Sequence, residues 1–360
     1  MTKKRNQELK KSFAKTLLRW NRYQNKRQMP WKGEKDPYRI WLSEIILQQT
    51  RVEQGLAYYE RFIKTFPTVQ DLAKAPEAKV FKLWEGLGYY SRCRNLIASA
   101  KYIAKELKGQ FPDSYENIKA LKGVGSYTAA AIASFAYNLP YAVVDGNVFR
   151  VLARLFGVHL PIDSTEGKKN FSTLAEDLLD KKLPGKYNQA IMDFGATVCK
   201  PVAPLCNKCV FNGSCYANLN SQVALLPIKD KKPAIKKRWF YYLVLESEEQ
   251  LAIHKRTHKD IWQGLYEFVL IEATKETSGS VILEQAVGRG WLPRNKFDVA
   301  NVSKIFRQQL SHQQITGRFI TVRIKRQEKM PAKMIWIKKS RLKKYPFPKF
   351  INEFIGTKEV

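Results

Sequence analysis

Four cysteines, Cys199, Cys206, Cys209 and Cys215, fall in one short window with six, two and five residues between them. Four thiolates in one stretch form a soft, sulfur-only ligand set, suited to Zn²⁺ or to an iron–sulfur cluster. A structural zinc site usually shows two close pairs. Only Cys206 and Cys209 are that close here, so the spacing leans toward [4Fe–4S] while leaving zinc open. A disulfide set fits poorly with the reducing compartment expected below. The fifth cysteine, Cys93, stands alone between Arg92 and Arg94 and reads as a small, half-buried residue.

Two carboxylates and one glycine turn add further chemistry. Glu44 sits in Ile40-Trp41-Leu42-Ser43-Glu44-Ile45-Ile46-Leu47, among mostly apolar helical neighbours. Such a carboxylate lies either on a solvated stripe or in a dry pocket, where loss of water raises its pKa and suits it to act as a general acid. Asp145 follows an apolar run and precedes Gly146-Asn147. Taken alone it reads as a helix N-cap; paired with Glu44 in one cleft it would complete the two carboxyl groups that glycosidic cleavage uses. Leu121-Lys122-Gly123-Val124-Gly125 lies between two helical stretches. Two glycines before a helix N-terminus let backbone N–H groups converge on a phosphate, although ordinary turns use the same pattern.

The elements that must position these residues divide the chain in two. Residues 1–219 read as mostly helical, with apolar spacing in 10–22 and an Asp36-Pro37 helix start. Further helical stretches are expected near 52–65, 70–74, 77–84, 91–107, 114–120, 126–137, 147–156, 168–179 and 187–196. Residues 220–236, with Pro227, Pro233 and the basic run 229–232, read as a linker. From 237 to 360 the character changes. The segments 239–245, 251–254, 266–271, 318–324 and 334–337 are β-branched and aromatic, as strands are, which predicts a separate α+β domain. The fold class is therefore multidomain.

Charge indicates the partner. The chain has 360 residues, with 63 Lys+Arg against 32 Asp+Glu and a formal net charge of +31. That excess favours a polyanion, because each cation near a phosphate releases a condensed counterion; nucleic acid ranks ahead of a merely solvated basic surface and of an anionic membrane. No long uncharged apolar run is present, so no membrane association is expected. The basic N-terminal stretch is not followed by an apolar signal region, and the chain reads as cytosolic.

Taken together, the helix–Gly-Val-Gly–helix, the downstream Asp145 and the cysteine spacing resemble the helix–hairpin–helix DNA glycosylases that carry an iron–sulfur cluster. The likeness is closer still to adenine DNA glycosylases of the MutY type. It rests on Met29-Pro30-Trp31, Asp36-Pro37-Tyr38, Leu42-Ser43-Glu44, Leu47-Gln48-Gln49-Thr50-Arg51, Trp84-Glu85-Gly86-Leu87-Gly88-Tyr89-Tyr90-Ser91-Arg92 and Val144-Asp145-Gly146-Asn147. Coverage is strong from about residue 10 to 219. It is thinner beyond, through Trp262-Gln263-Gly264-Leu265-Tyr266-Glu267-Phe268 and Leu310-Ser311-His312.

The resemblance implies a helical glycosylase domain (1–219) with a helix–hairpin–helix at about 114–137 and a [4Fe–4S] loop at 199–215, followed by a Nudix-like domain (237–360). It implies a monofunctional enzyme of base excision repair. The substrate would be double-stranded DNA with adenine opposite 8-oxoguanine or guanine. Glu44 would protonate the adenine, Asp145 would stabilise the cationic sugar, and Tyr127 and Asn147 would support them. Tyr127 stands where strand-nicking relatives carry a Schiff-base lysine, which argues against a glycosylase/lyase acting on damaged pyrimidines. A DNA-binding module without catalysis would not need Glu44 and Asp145 facing a polyanion. The target base must leave the stack. Arg27, Met29, Trp31, Gln189 and Met192 would surround it, with core packing the alternative for Trp31 and Met192. Gln49 and Tyr89 would wedge beside 8-oxoguanine, and Ser311 with His312 would read the lesion. Gly123, Val124 and Gly125 would hold a backbone phosphate, and Cys199, Cys206, Cys209 and Cys215 the cluster. Two departures stand out: Leu310 where phenylalanine is common, and Val210 where proline often follows the third cysteine. No Glu-rich Nudix box is present, so pyrophosphate hydrolysis is not expected. A monomer in the bacterial cytoplasm, at the nucleoid, completes the expectation.

Overall fold

The computed structural model describes residues 3–230, 234–294, 296–325 and 333–357, with side chains from residue 6. Residues 231–233, within the expected linker and its basic run, lie outside that set. Two compact units emerge: Met1–Ala73 with Ala98–Lys231, and Lys74–Ile97 with Lys232–Val360. The second unit thus takes in a segment, 74–97, that the sequence assigns to the helical domain.

The first unit is helical, as predicted. In chain order the helices are α1 (Lys3–Tyr23), α2 (Pro37–Leu47), α3 (Val52–Thr65), α4 (Val69–Lys74), α5 (Glu77–Trp84), α6 (Tyr90–Lys105), α7 (Tyr115–Lys119), α8 (Ser126–Tyr137), α9 (Gly146–Phe156), α10 (Thr165–Leu178), α11 (Pro184–Thr197) and α12 (Tyr216–Leu219); α5 belongs to the second unit. The apolar stripe of α1, Leu9, Phe13, Leu17 and Trp20, is buried against α8, α9, α10 and α11. Phe13 and Phe211 stack at 5.2 Å, which ties α1 to the cysteine loop.

Local chemistry explains where the functional helices start. The Asp36 carboxylate accepts from the Tyr38 N–H, and Pro37 occupies the first turn of α2, a cap contributing about 1 kcal/mol. Between α7 and α8 lies a hairpin turn. Gly123 adopts φ +80° there, open to glycine at little cost. Leu121 and Val124 are buried, and the Val124 N–H donates to the Leu121 carbonyl. Gly125 precedes α8, and an added Cβ there would meet no protein atom within 4 Å.

The second unit is built on a mixed sheet. Its strands are β1 (Lys236–Ser247), β2 (Gln250–Lys255), β3 (Tyr266–Glu267), β4 (Val269–Ala273), β5 (Phe297–Val302), β6 (Phe306–Gln309), β7 (Gln313–Ile324) and β8 (Ile335–Lys338). The order β3-β2-β1-β7-β5 is extended by β4 on β1, β6 on β7 and β8 on β2. β1 and β7 run parallel, with Lys236 opposite Gln313 and Glu246 opposite Arg323; the other pairs are antiparallel. α13 (Gly279–Gly288) packs on one face through Ile282 and Ala286, against Tyr241, Leu243 and Ile320. On the alternate residues Tyr242 and Phe319 meet Phe350 and Phe354 of α14 (Lys349–Ile355), with Phe319 and Phe354 stacked at 4.0 Å, and Phe240 meets Trp262. Cover on both faces explains why β1 is an unbroken apolar run rather than an alternating one. In this unit β5, β6, α13 and α14 were not predicted: β6 is short and polar, β5 is short with Val299 and Val302 exposed, and the helices are only ten and seven residues long.

Candidate active site

Glu44 is 7% exposed, on the last turns of α2. Its carboxyl shares a hydrogen bond with Tyr127, on the first turn of α8. Burial raises the Glu44 pKa to about 7; the Tyr127 hydrogen bond pulls it down and the charge of Asp145 pushes it up. The carboxylate is therefore in a dry pocket, not on a solvated stripe. The same burial, followed by the neighbouring Glu44 and Asp145, holds the Tyr127 hydroxyl well above its ordinary value, so it remains a hydrogen-bond donor.

Asp145 serves as the N-cap of α9 as well as facing Glu44. Its Oδ1 accepts from the Asn147 and Val148 N–H groups, both at 2.8 Å, and its Oδ2 from the Asn147 side-chain amide at 2.8 Å. Burial raises its pKa, while those donors and the charge of Arg150 pull it down. Three N–H donors satisfy a carboxylate anion. The two acids thus sit in contrasting surroundings, one nearly without donors and one saturated with them.

Both acids line one cleft of about 1880 Å³, together with Tyr127, Asn147, Arg27, Met29, Trp31, Gln49, Gln189 and Met192. Trp31 and Met192 are half-buried; Met192 also packs against the core of the first unit, and Trp31 meets Tyr59 edge-on at 5.5 Å. Gln49 is exposed at φ 56°. Gly123, Val124 and Gly125 lie on the hairpin and not in this cleft.

Sequence reasoning missed Asp193. It is 0% exposed and accepts from Arg27 Nη1 (3.0 Å), Lys32 Nζ (3.1 Å), Asn25 Nδ2 (2.8 Å) and Gln189 Nε2 (3.0 Å). It thereby fixes Arg27 and Gln189, and it turns the Gln189 carbonyl oxygen into the remaining acceptor of that amide. The signal was available: Asp193 lies between Met192 and Phe194, an acid in apolar company like Glu44. Arg150 was missed as well. It donates to the Cys199 carbonyl (2.7 Å), the Gly195 carbonyl (2.7 Å) and Asn147 Oδ1 (2.9 Å), so one guanidinium joins the cysteine loop to the residue that holds Asp145.

The four cysteines surround one small cavity, with Arg154, Leu205 and Val223 also in its wall. Cys199 follows α11, Cys206 opens a short 3₁₀ turn and Cys215 precedes α12. The Phe211 N–H points at Cys209 Sγ (3.4 Å) and Arg154 Nη1 at Cys199 Sγ (3.6 Å). Burial pushes the Cys209 thiol up to about 12 and raises those of Cys199 and Cys215; a metal's positive charge reverses that preference. Among the described residues, no group of three or more His, Cys, Asp or Glu is set to hold a metal ion. Cys93 is fully buried, not half-buried, and burial raises its thiol far out of the reactive range.

The second unit carries the other predicted contacts. Tyr89 is 42% exposed at φ 47°, and its hydroxyl lies 2.6 Å from Ser311 Oγ. Ser311 and His312 are exposed in the turn between β6 and β7. The His312 carbonyl accepts from the Lys236 N–H at 3.0 Å. No described helix is long and apolar enough to cross a membrane.

Comparison with known proteins agrees with this architecture. Residues 42–177 match the HhH-GPD superfamily of base excision DNA repair proteins, and residues 240–357 match a NUDIX domain. The chain is 34% identical over 303 residues to the adenine DNA glycosylase of Buchnera aphidicola subsp. Baizongia pistaciae, covering 83% of each chain. It is 42% identical over 215 residues to the adenine DNA glycosylase of Homo sapiens, covering 57% of this chain and 39% of that one. Among solved structures, a thermostable thymine-DNA glycosylase superposes with TM-score 0.55 at 29% identity, over 59% of this chain and 98% of that one.

Proposed function

This chain belongs to the adenine DNA glycosylase family, and on that premise we propose that its cleft excises adenine paired with 8-oxoguanine or guanine in duplex DNA. The observation that carries the reading is the pairing in one cleft of Glu44, raised to about 7 by burial, with the donor-saturated carboxylate of Asp145. Glu44 holds a proton near neutral pH and gives it to a ring nitrogen of the extruded adenine. The bond from sugar C1′ to the base then breaks and adenine leaves neutral. Asp145 stabilises the oxocarbenium-like sugar. Water adds to C1′, surrendering its proton to the Glu44 carboxylate and regenerating the acid. Tyr127 keeps Glu44 in place and supplies no amine, so the reaction ends at base removal.

Arg27, Trp31, Gln189 and Met192 would enclose the base, with the Gln189 oxygen facing an exocyclic amino group. The turn at Gly123–Gly125 would receive a phosphate: its glycines leave the approach open and α8 presents its N-terminus behind them. Tyr89 and Ser311, already in contact with each other, would read 8-oxoguanine with His312 beside them. The cysteine cavity fits a [4Fe–4S] cluster. Its four thiols face one space, and their uneven spacing, with only Cys206 and Cys209 close in sequence, supports a polynuclear cluster over zinc. Such a cluster would stabilise the fold of this loop. The enzyme would act as a monomer on chromosomal DNA in the cytoplasm.

The test is single-turnover release of adenine from a duplex with one 8-oxoguanine·adenine pair. Glu44→Gln is expected to reduce release by at least ~10²–10⁴-fold while duplex binding persists. Release at the unmutated rate by that variant would refute the assignment.

A further inference from the structure

Arg154 is 4% exposed, and none of its acceptors is a carboxylate. Nε donates to the Leu226 carbonyl (2.9 Å), Nη1 to the Lys200 carbonyl (2.7 Å) and to Cys199 Sγ (3.6 Å), and Nη2 to the Pro201 carbonyl (3.2 Å). Its own carbonyl accepts from Cys215 Sγ at 3.4 Å. A buried cation facing only neutral groups is costly unless negative charge lies beside it. Here the guanidinium forms part of the wall of the cavity that the four cysteines enclose, and a four-thiolate cluster would bring the missing negative charge.

We propose that Arg154 is the positioning residue that sets the reduction potential of the iron–sulfur cluster and its resistance to loss, an inference that rests on the cluster reading above. A positive charge and an N–H aimed at a ligating sulfur draw electron density from the cluster and favour its reduced form. The same guanidinium clamps three carbonyls, those of residues 200 and 201 in the cysteine loop and of residue 226 beyond it. It therefore also restrains the segment that follows the first ligand.

The experiment compares the full chain with Arg154→Met and Arg154→Lys. Iron and acid-labile sulfide are measured first, then reduction potential by film voltammetry and the rate of iron loss to a chelator. A purified parent protein without iron and sulfide would refute the cluster reading itself, and this proposal with it. With the cluster present, Arg154→Met is expected to shift the redox equilibrium about tenfold toward the oxidised form, ~59 mV more negative for one electron, and to lose iron faster. Arg154→Lys keeps the charge but not the fork, so its potential should move less while iron loss still quickens. A parental potential and parental iron loss in Arg154→Met would overturn the proposal. Should that variant not accumulate folded, Arg154→Lys decides alone, and parental iron loss in it overturns the clamp.

Discussion

Glu44 shows how one side chain carries opposing demands. Burial lifts its pKa from the ordinary 4.5 to about 7, a displacement of about 3 kcal/mol in favour of the protonated form. The sign for stability follows from linkage. The folded state binds this proton more tightly than the unfolded state, so the associated stability is fully present below about pH 4.5 and is lost as pH rises through about 7. Glu44→Gln removes the titration. It is expected to raise the midpoint of thermal unfolding relative to the parent at pH 8–9, with the gap closing as pH falls toward 4.5. Scanning calorimetry across that range checks it, and a gap constant with pH would contradict the burial assigned here. Asp193 is buried too, but four donors surround it, and it organises the cleft wall by holding Arg27 and Gln189.

At the scale of elements, the cleft depends on how closely α9 and α11 approach. A Cβ on Gly195 of α11 would lie 2.7 Å from Asn147 Cβ and 3.0 Å from the Asn147 carbonyl oxygen of α9. Asn147 is the residue that donates twice to Asp145. Gly195→Ala is therefore expected to cost ~1–3 kcal/mol through overpacking and to reduce adenine excision by more than that loss predicts, because the displaced group holds Asp145. Denaturant unfolding and single-turnover kinetics on the same preparation separate the two effects; unchanged kinetics would show that the helices separate without disturbing Asp145. The helices around this contact were readable from apolar spacing and from caps such as Asp36 and Asp145. β5 and β6 were not, because edge strands this short, one polar and the other with its valines facing outward, present no sustained pattern of a buried face. The place of segment 74–97 in the second unit was equally hidden, since helical periodicity reports a buried face and not what buries it.

For the whole molecule the governing quantity is the net charge of +31. Duplex affinity is expected to fall linearly in log–log terms with added salt, by about 0.9 per phosphate neutralised. With roughly 6–10 phosphates engaged, the loss between 50 and 200 mM salt is ~10³–10⁵-fold. Equilibrium titration at four or five salt concentrations measures the slope, and a slope near zero would count against a basic surface that tracks DNA.

The sequence by itself determined the kinds of chemistry available: a thiolate set, two carboxyl groups, a glycine hairpin and an excess of cations. Those depend on residue type and local spacing, which the chain carries on its face. Only the tertiary structure decided that Glu44 is dry while Asp145 is saturated with donors, that Asp193 fixes Arg27 and Gln189, and that Arg150 and Arg154 lie beside the cysteine loop. Desolvation and partner choice arise from what distant segments bring together, and no local pattern encodes that.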